Sequence, residues 1–336
     1  MRVLELNGGF GLDHLHLAHR PDPVPGPGEV LVRMRAASLN HRDLLMIRGK
    51  YDPRQSLPLV PLSDGVGEVV GLGPHVTRVK LGDRVAPMFA QRWLAGEANR
   101  ERLRTTLGGP LDGVLAELVC LSEQGVAYVP AALSDVEAAT LPCAALTAWT
   151  GLVDQGRVRP GDTVLVQGTG GVSIFALQFA VMAGARVIAT SSTPEKLERL
   201  RQLGAWQVLN YRDEPEWGRR AFALAGAGVD HVLEVGGAGT LAQSLRAVRP
   251  GGHISLIGVL GGATTDVNLL PIVMQNLRLH GVLVGNRDSF DAMTRAIALH
   301  GLRPVVDRVF AWTEARAALD HLASGNHVGK VCLQFG

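Results

Sequence analysis

The segment VLVQGTGGVSIFALQFAVMAGA, Val164 to Ala185, constrains this chain more than any other. A short apolar run ending at Gln167 enters a glycine turn, and an apolar stretch of helical length comes at once. The first turn of a helix has N–H groups without intrahelical partners and sits at the positive end of the helix dipole. A strand that turns through glycine into such a terminus makes a binding place for a pyrophosphate. Gly168 permits the tight turn, and Gly170 lets backbone approach the anion. Gly171 and Val172 open the helix that supplies the donors. The third glycine of a GxGxxG pattern is replaced by Ser173, which is small enough to pack there. The expectation is a dinucleotide site; the plainer reading is a tight strand-to-helix turn.

The residues beyond this turn strengthen the dinucleotide reading. RVIAT precedes PEKLERLRQLGA, whose Pro194 suits a first helical position. QVLNY, VDHVLEV and HISLIG continue the series, each leading into a glycine-rich turn, a loop or a helix. Such alternation predicts a doubly wound parallel sheet. Glycine makes up 41 of the 336 residues, about 12% against a usual ~7%, and gathers at strand ends rather than at a fixed period. The first ~125 residues read as β-rich, with apolar runs such as EVLVRMRAAS and GVGEVVGLG broken by Pro and Gly clusters. The last ~50 hold one helix, TEARAALDHLASG, and one strand, KVCLQ. They are too few for a domain and are expected to pack back on the first. The chain is therefore α/β, with a β-rich domain at 1–126 and 285–336 around a nucleotide-binding domain at 127–284.

Cofactor choice is read about 20 residues after the glycine turn, where an NAD enzyme usually places a carboxylate on the ribose 2′-hydroxyl. Here the second strand ends in Thr190, Ser191, Ser192 and Thr193, and Lys196 lies just beyond. Hydroxyls and an ammonium suit a 2′-phosphate, so NADP is expected. The competing reading has Ser192 and Thr193 capping the helix that starts at Pro194, with Lys196 in solvent.

Several partner classes are set aside. A net charge of +2, from scattered basic residues, gives no basic patch for nucleic acid. The three cysteines, Cys120, Cys143 and Cys332, form neither a CxxC pair nor a disulfide framework, which fits a reducing cytoplasm. No signal peptide is evident at the N-terminus. The apolar run Gly170 to Ala185 is shorter than the ~20 residues of a membrane span. A small-molecule substrate is the partner expected.

The chain resembles the zinc-independent, quinone oxidoreductase-like branch of the medium-chain dehydrogenase/reductase superfamily. The resemblance is carried by SLNHRD (Ser38 to Asp43), PLSDGVGEVVGLGPHVTRVKLGDRV (Pro61 to Val85), ATLPCAALTAW (Ala139 to Trp149), VLVQGTGGVS and SGNHVGKV (Ser324 to Val331). It implies a GroES-like catalytic domain and a Rossmann domain with the active site between them. It also implies a homodimer through an edge strand of the Rossmann domain, here LRLHGVL. Asn40 and Thr147 match nicotinamide contacts, and Gly170, Gly171 and Val172 match pyrophosphate contacts. Ser192, Lys196 and Tyr211 match the 2′-phosphate side, and Lys330 matches a C-terminal cofactor contact.

Zinc-dependent members of the same superfamily hold a catalytic zinc with Cys at the Asn40 position, His at Ser63 and Cys at Cys143. Asn and Ser are poor zinc ligands, so no metal is expected. His41 and Asp43 do not replace them, because residues two apart on a helix do not face one another. Hydride transfer without zinc needs another proton source. Tyr51 matches the catalytic tyrosine of enoyl-thioester reductases in this branch; as a bare residue it is equally a tyrosine packed on a loop. Asn40 and Asp64 are secondary candidates for orienting substrate. The segment Ala90 to Gly113, with Arg92, Trp93, Arg100, Arg102 and Arg104, reads as a solvated amphipathic helix or as a lid.

The function expected is NADPH-dependent reduction of a quinone, an activated alkene or a carbonyl. Alternatives are a zinc-independent alcohol dehydrogenase or aldehyde reductase, and a cofactor-binding protein with little turnover.

Overall fold

Glu29–Ser38 shows why the N-terminal region is a sheet. Val30, Val32, Met34 and Ala36 alternate inward while Arg33 and Arg35 point to solvent, the period-2 pattern of a half-buried strand. A computed structural model describes residues 1–336. Along the chain, β1 (Arg2–Leu6) pairs antiparallel with β2 (Leu15–His19). The strand just described, β3, pairs antiparallel with β4 (Asp64–Leu72). β5 (Arg84–Pro87), β6 (Leu118–Ser122) and β7 (Val126–Tyr128) complete this part, β6 pairing with β3 and β7 with β5.

The chain then builds a second unit, Thr147–Val284. Its strands are β8 (Thr163–Gln167), β9 (Arg186–Ser191), β10 (Gln207–Asn210), β11 (Val229–Glu234), β12 (Val248–Leu256) and β13 (Arg278–Gly281). All are parallel, in the order β10-β9-β8-β11-β12-β13. The order reverses direction at β8, which is where a doubly wound sheet binds its ligand, beyond the carboxyl ends of the strands. The glycine turn leaves β8 at that point. The core of this unit gathers Leu165, Ile188, Val232 and Ile254 from neighbouring strands.

The chain returns to the first unit, Met1–Leu146 with Gly285–Gly336. There β14 (Val306–Ala311) pairs parallel with β15 (Lys330–Gln334), and β15 pairs antiparallel with β3. The C-terminal segment thus joins the N-terminal sheet, as its length demands. The first unit also extends past residue 126, the boundary expected from the change in pattern. β7 adds an edge to β5, and the helix Asp135–Ala138 packs on β3 and β4, so residues 127–146 belong to this unit. The helical run Asp135–Gln155 is apolar and long enough to cross a membrane, but 78% of its most apolar window is buried in the protein.

Ala90 to Gly113 is not an amphipathic helix. Its only helix is the four-residue turn Arg100–Leu103, and a bridge between Ala90 and Thr106 closes it as a loop. Trp93 is buried and donates its indole N–H to Gly96 O at 2.8 Å. Positive φ at Gly96, Gly108 and Gly109, with Pro110 next, denies the segment a helical backbone. Arg92, Arg100 and Arg104 are not enclosed with Trp93: Arg92 and Arg100 are exposed and Arg104 is at the surface.

Candidate active site

In the first unit a buried polar cluster grows from the start of one short helix, His41–Ile47. Asp43, its third residue, turns Oδ2 back to accept the Asn40 N–H at 2.8 Å, the return half of a capping box. This fixes the Asn40 backbone, while His41 is left exposed. Asn40 Oδ1 accepts from Lys330 Nζ, which also donates to Leu39 O. Lys330 opens β15 directly after Gly329, where φ is +84° and a Cβ would stand 2.2 Å from Val305 O. Only glycine allows the chain to deliver the lysine there.

Asp64 enters from the first position of β4, opposite Ser38 of β3. Its Oδ1 accepts from Ser63 Oγ at 2.7 Å and its Oδ2 from the Cys143 N–H at 3.0 Å. Asn40 Nδ2 donates to Ser63 Oγ at 3.5 Å, so the amide joins the ammonium to the carboxylate. Asn40, Asp43, Ser63, Asp64 and Lys330 are all buried. Burial raises the Asp64 carboxyl above its usual range, and the Lys330 ammonium opposes that rise. Asp43 is pushed up to about 6, chiefly by burial and against the pull of Arg42. Burial also raises the half-buried Cys143 thiol, helped by the Asp64 charge, so it stays protonated at neutral pH.

Tyr51 lies just past this helix. Its N–H donates to Leu45 O at 3.1 Å, and the residue is 42% exposed. The buried Arg42 guanidinium carbon stands 4.9 Å from the centre of the Tyr51 ring and 4.9 Å from that of Phe89. Arg42 also donates to Leu107 O at 2.9 Å and to Gly109 O at 3.2 Å.

In the second unit Gly168 has φ +73°, and a Cβ at Gly168 or Gly170 would meet nothing within 4 Å. The backbone thus lies open before the helix Gly171–Met182, with Gly170 at its cap. Ser173, in place of a third glycine, donates Oγ–H to Gln167 O at 2.6 Å and ties the helix back to β8. At the end of β9, Ser191 is buried and Ser192 half-buried. Thr193 is the helix cap, its oxygen accepting the Lys196 N–H, so this hydroxyl rather than that of Ser192 serves the helix. Tyr211 is 43% exposed and Thr147 is buried.

Two functional neighbours are not evident in the sequence. Arg42 is one. Glu234 is the other: buried at the end of β11, its Oε1 accepts from Gly236 N (2.8 Å), Gly237 N (2.9 Å) and Thr240 Oγ1. Its Oε2 accepts from Gln167 Nε2 (2.8 Å) and Ser244 Oγ. It joins the strand end before the glycine turn to the loop after β11. A carboxylate closing VDHVLE shortly before two glycines was the available signal, but its partners lie up to 67 residues away.

Residues 26–131 match the alcohol dehydrogenase GroES-like domain and residues 171–298 the zinc-binding dehydrogenase domain. A zinc-type alcohol dehydrogenase-like protein of Schizosaccharomyces pombe is 42% identical over 316 residues, covering 92% of this chain and 91% of that one. The chain belongs to the medium-chain dehydrogenase/reductase family. It is an NAD(P)-dependent oxidoreductase with a GroES-like domain and a Rossmann domain. A quinone oxidoreductase of Pseudomonas aeruginosa is 34% identical, covering 92% of each chain. The crystal structure of an alcohol dehydrogenase homologue from Sinorhizobium meliloti superposes with a TM-score of 0.92 at 43% identity, covering 99% of this chain and 98% of that one. An NAD-dependent alcohol dehydrogenase (TM-score 0.91, 34% identity, all of both chains) and a mycobacterial protein solved with NADPH (0.84, 28%, 99% of both) share the fold.

The family implies two groups, and the residues answer differently to each. A dinucleotide fits the second unit, because the open backbone at Gly168 and Gly170 before a helix N-terminus is a cradle that any Cβ would fill. A zinc ion does not fit the first. Asn40 Oδ1 is taken by an ammonium and Ser63 Oγ–H is spent on Asp64, which leaves Cys143 as the one soft donor of the three positions.

Proposed function

We propose that this family member is a zinc-independent, NADPH-dependent reductase of small activated substrates: quinones, conjugated alkenes or carbonyls. The observation that carries the reading is the Lys330–Asn40–Ser63–Asp64 cluster. Positions that supply zinc ligands in zinc-dependent relatives here form a closed hydrogen-bond chain anchored by a fixed ammonium. A dication placed there would meet the Lys330 ammonium and find one thiol at positions where zinc takes three or four Cys, His or carboxylate ligands.

Bound NADPH supplies the hydride. Gly168, Gly170, Gly171 and Val172 would hold its pyrophosphate, and Asn40, Thr147 and Lys330 its nicotinamide end. Ser191, Ser192, Lys196 and Tyr211 would hold the 2′-phosphate, since the end of β9 offers hydroxyls and no carboxylate. Reduction also needs one proton on the substrate. Tyr51 would donate it from its phenol O–H, an exposed donor on a ring held by Arg42. Asn40 and Asp64 orient rather than donate, because Asn40 is locked by Lys330 and Asp64 is fully buried. The relatives described as alcohol dehydrogenases favour a second reading, reduction of an aldehyde or ketone by the same residues.

The test is NADPH and NADH oxidation by the purified, zinc-analysed protein across quinones, enones, enoyl thioesters, aldehydes and ketones, with wild type and Tyr51→Phe. The expected result is substoichiometric zinc, a preference for NADPH of about 10-fold or more, and a large fall in kcat for Tyr51→Phe. One zinc per chain whose removal abolishes activity would sink the zinc-independent reading. Equal turnover with NADH would sink the cofactor choice, and full activity of Tyr51→Phe the proton donor. Turnover of aldehydes and ketones alone would select the second reading.

The protein also acts, on this reading, as a homodimer in the cytoplasm, paired through the edge strand β13. Leu269, Leu270, Val273 and Met274 lie just before that edge and are 60–73% exposed, an apolar surface a lone chain would leave wet. Sedimentation should give a dimer, and Val273→Lys a monomer; a wild-type monomer at micromolar concentration would sink the proposal.

A further inference from the structure

The geometry points to Arg42 as the positioning residue of Tyr51, holding the phenol ring for proton transfer. This inference rests on the reading of Tyr51 as the proton donor. Arg42 is a buried cation that its neighbouring carboxylate pairs by charge but not by hydrogen bond: Asp43 Oδ1 lies 3.5 Å from Nη1 and accepts no hydrogen bond, and Arg42 Nε has no hydrogen-bond partner. Its fork instead goes to two main-chain carbonyls, Leu107 O and Gly109 O. Two carbonyls aim the guanidinium, whose central carbon stands 4.9 Å from both the Tyr51 and Phe89 ring centres.

A guanidinium has the flat, weakly hydrated face that stacks on an aromatic ring, whereas an ammonium does not. Burying an arginine in this way is costly unless its contacts repay desolvation, and the two rings supply such contacts while the guanidinium in turn holds them. Tyr51 itself is tied to the protein at its backbone by the Leu45 carbonyl, while its side chain is 42% exposed. Arg42 therefore fixes a ring that would otherwise sample several rotamers in the turn that follows the seven-residue helix.

The test is a double-mutant cycle on the full-length protein with NADPH and its best panel substrate, using Arg42→Lys, Tyr51→Phe and the pair. Arg42→Lys should lower kcat roughly 10- to 100-fold, the scale of a misplaced catalytic group, with KM for NADPH within about 2-fold. In the Tyr51→Phe background, which keeps the ring and lacks the hydroxyl, the same change should alter kcat by less than about 2-fold. Phe89→Leu, which removes a neighbouring ring and leaves both carbonyl bonds, should behave alike and serves if Arg42→Lys does not fold. An equal loss in both backgrounds, or no loss, overturns the positioning role. Full activity of Tyr51→Phe alone overturns the proton-donor reading, and this inference with it, by a measurement in which Arg42 is untouched.

Discussion

Lys330 shows how one residue can be legible in position and illegible in consequence. The pattern GK before a terminal strand places it, but its partners, Leu39 and Asn40, are about 290 residues earlier. Distance along the chain also hid Arg42, whose partners Leu107 and Gly109 come from a loop with no helical or strand pattern to place it. That Asn40 and Ser63 lack soft or imidazole donors is a property of residue type and is readable at once, whereas their place in a site came from the family resemblance. The cluster has a stability cost set by its charges. Lys330 and Asp64 are both buried and are linked through Asn40 and Ser63 without a direct ion pair, so Lys330→Met unpairs Asn40 Oδ1 and removes a cation that favours the carboxylate; it should cost about 1–3 kcal/mol, read as a lower urea midpoint. Adding Asp64→Asn removes the stranded charge and should recover part of that loss. If the double variant is no more stable than Lys330→Met, the two groups are not coupled.

At the scale of elements, the strands of the second unit track the sequence closely because each is a short apolar run closed by a turn. β8 to β11 fall where that pattern places them, and β12 begins at Val248, five residues before the apolar run HISLIG. The pattern failed at 90–113, where spaced arginines suggested a helix and three positive-φ glycines prevented one. It failed again at residue 126, because strand pairing rather than composition carries the first unit on to Leu146. Glu234 marks a third kind of limit. Its five donors come from the β8 end and from the loop and helix after β11; four lie within ten residues of it, and the fifth, Gln167, comes into reach only when the sheet aligns β8 with β11. Removing it strands those donors beside the glycine turn. Glu234→Ala should lower stability by several kcal/mol, about 1–3 for each donor left unpaired, and weaken NADPH binding by titration calorimetry. Ser173→Gly, which restores the glycine and loses one bond to Gln167 O, should cost only about 1 kcal/mol and leave affinity near wild type. Unchanged NADPH affinity in Glu234→Ala would show that this loop does not shape the site.

Across the whole molecule, the two units carry opposite responses to acid. In the second, His253 sits buried on β12 beside His231, Arg278 and His280, and burial, then those cationic neighbours, lowers it from 6.5 to about 4. A histidine held neutral in the fold must be charged on unfolding. Its contribution is fully present above about pH 6.5 and is lost as pH falls toward 4. In the first unit, Asp43 is raised from 3.8 to about 6 by burial and by Asp64, against Arg42, the Asn40 N–H and Lys330. The folded state there binds the extra proton. That contribution is present below about pH 3.8 and is lost as pH rises through 6. Each shift corresponds to about 3 kcal/mol over its window, and over pH 4 to 6 the two slopes oppose. Removing one group should therefore expose the other. His253→Leu should lose about 2 kcal/mol less than wild type between pH 7 and 4.5, and Asp43→Asn about 2 kcal/mol more, in urea unfolding measured at both pH values. Parallel pH profiles for the two variants and wild type would show that neither proton is linked to folding.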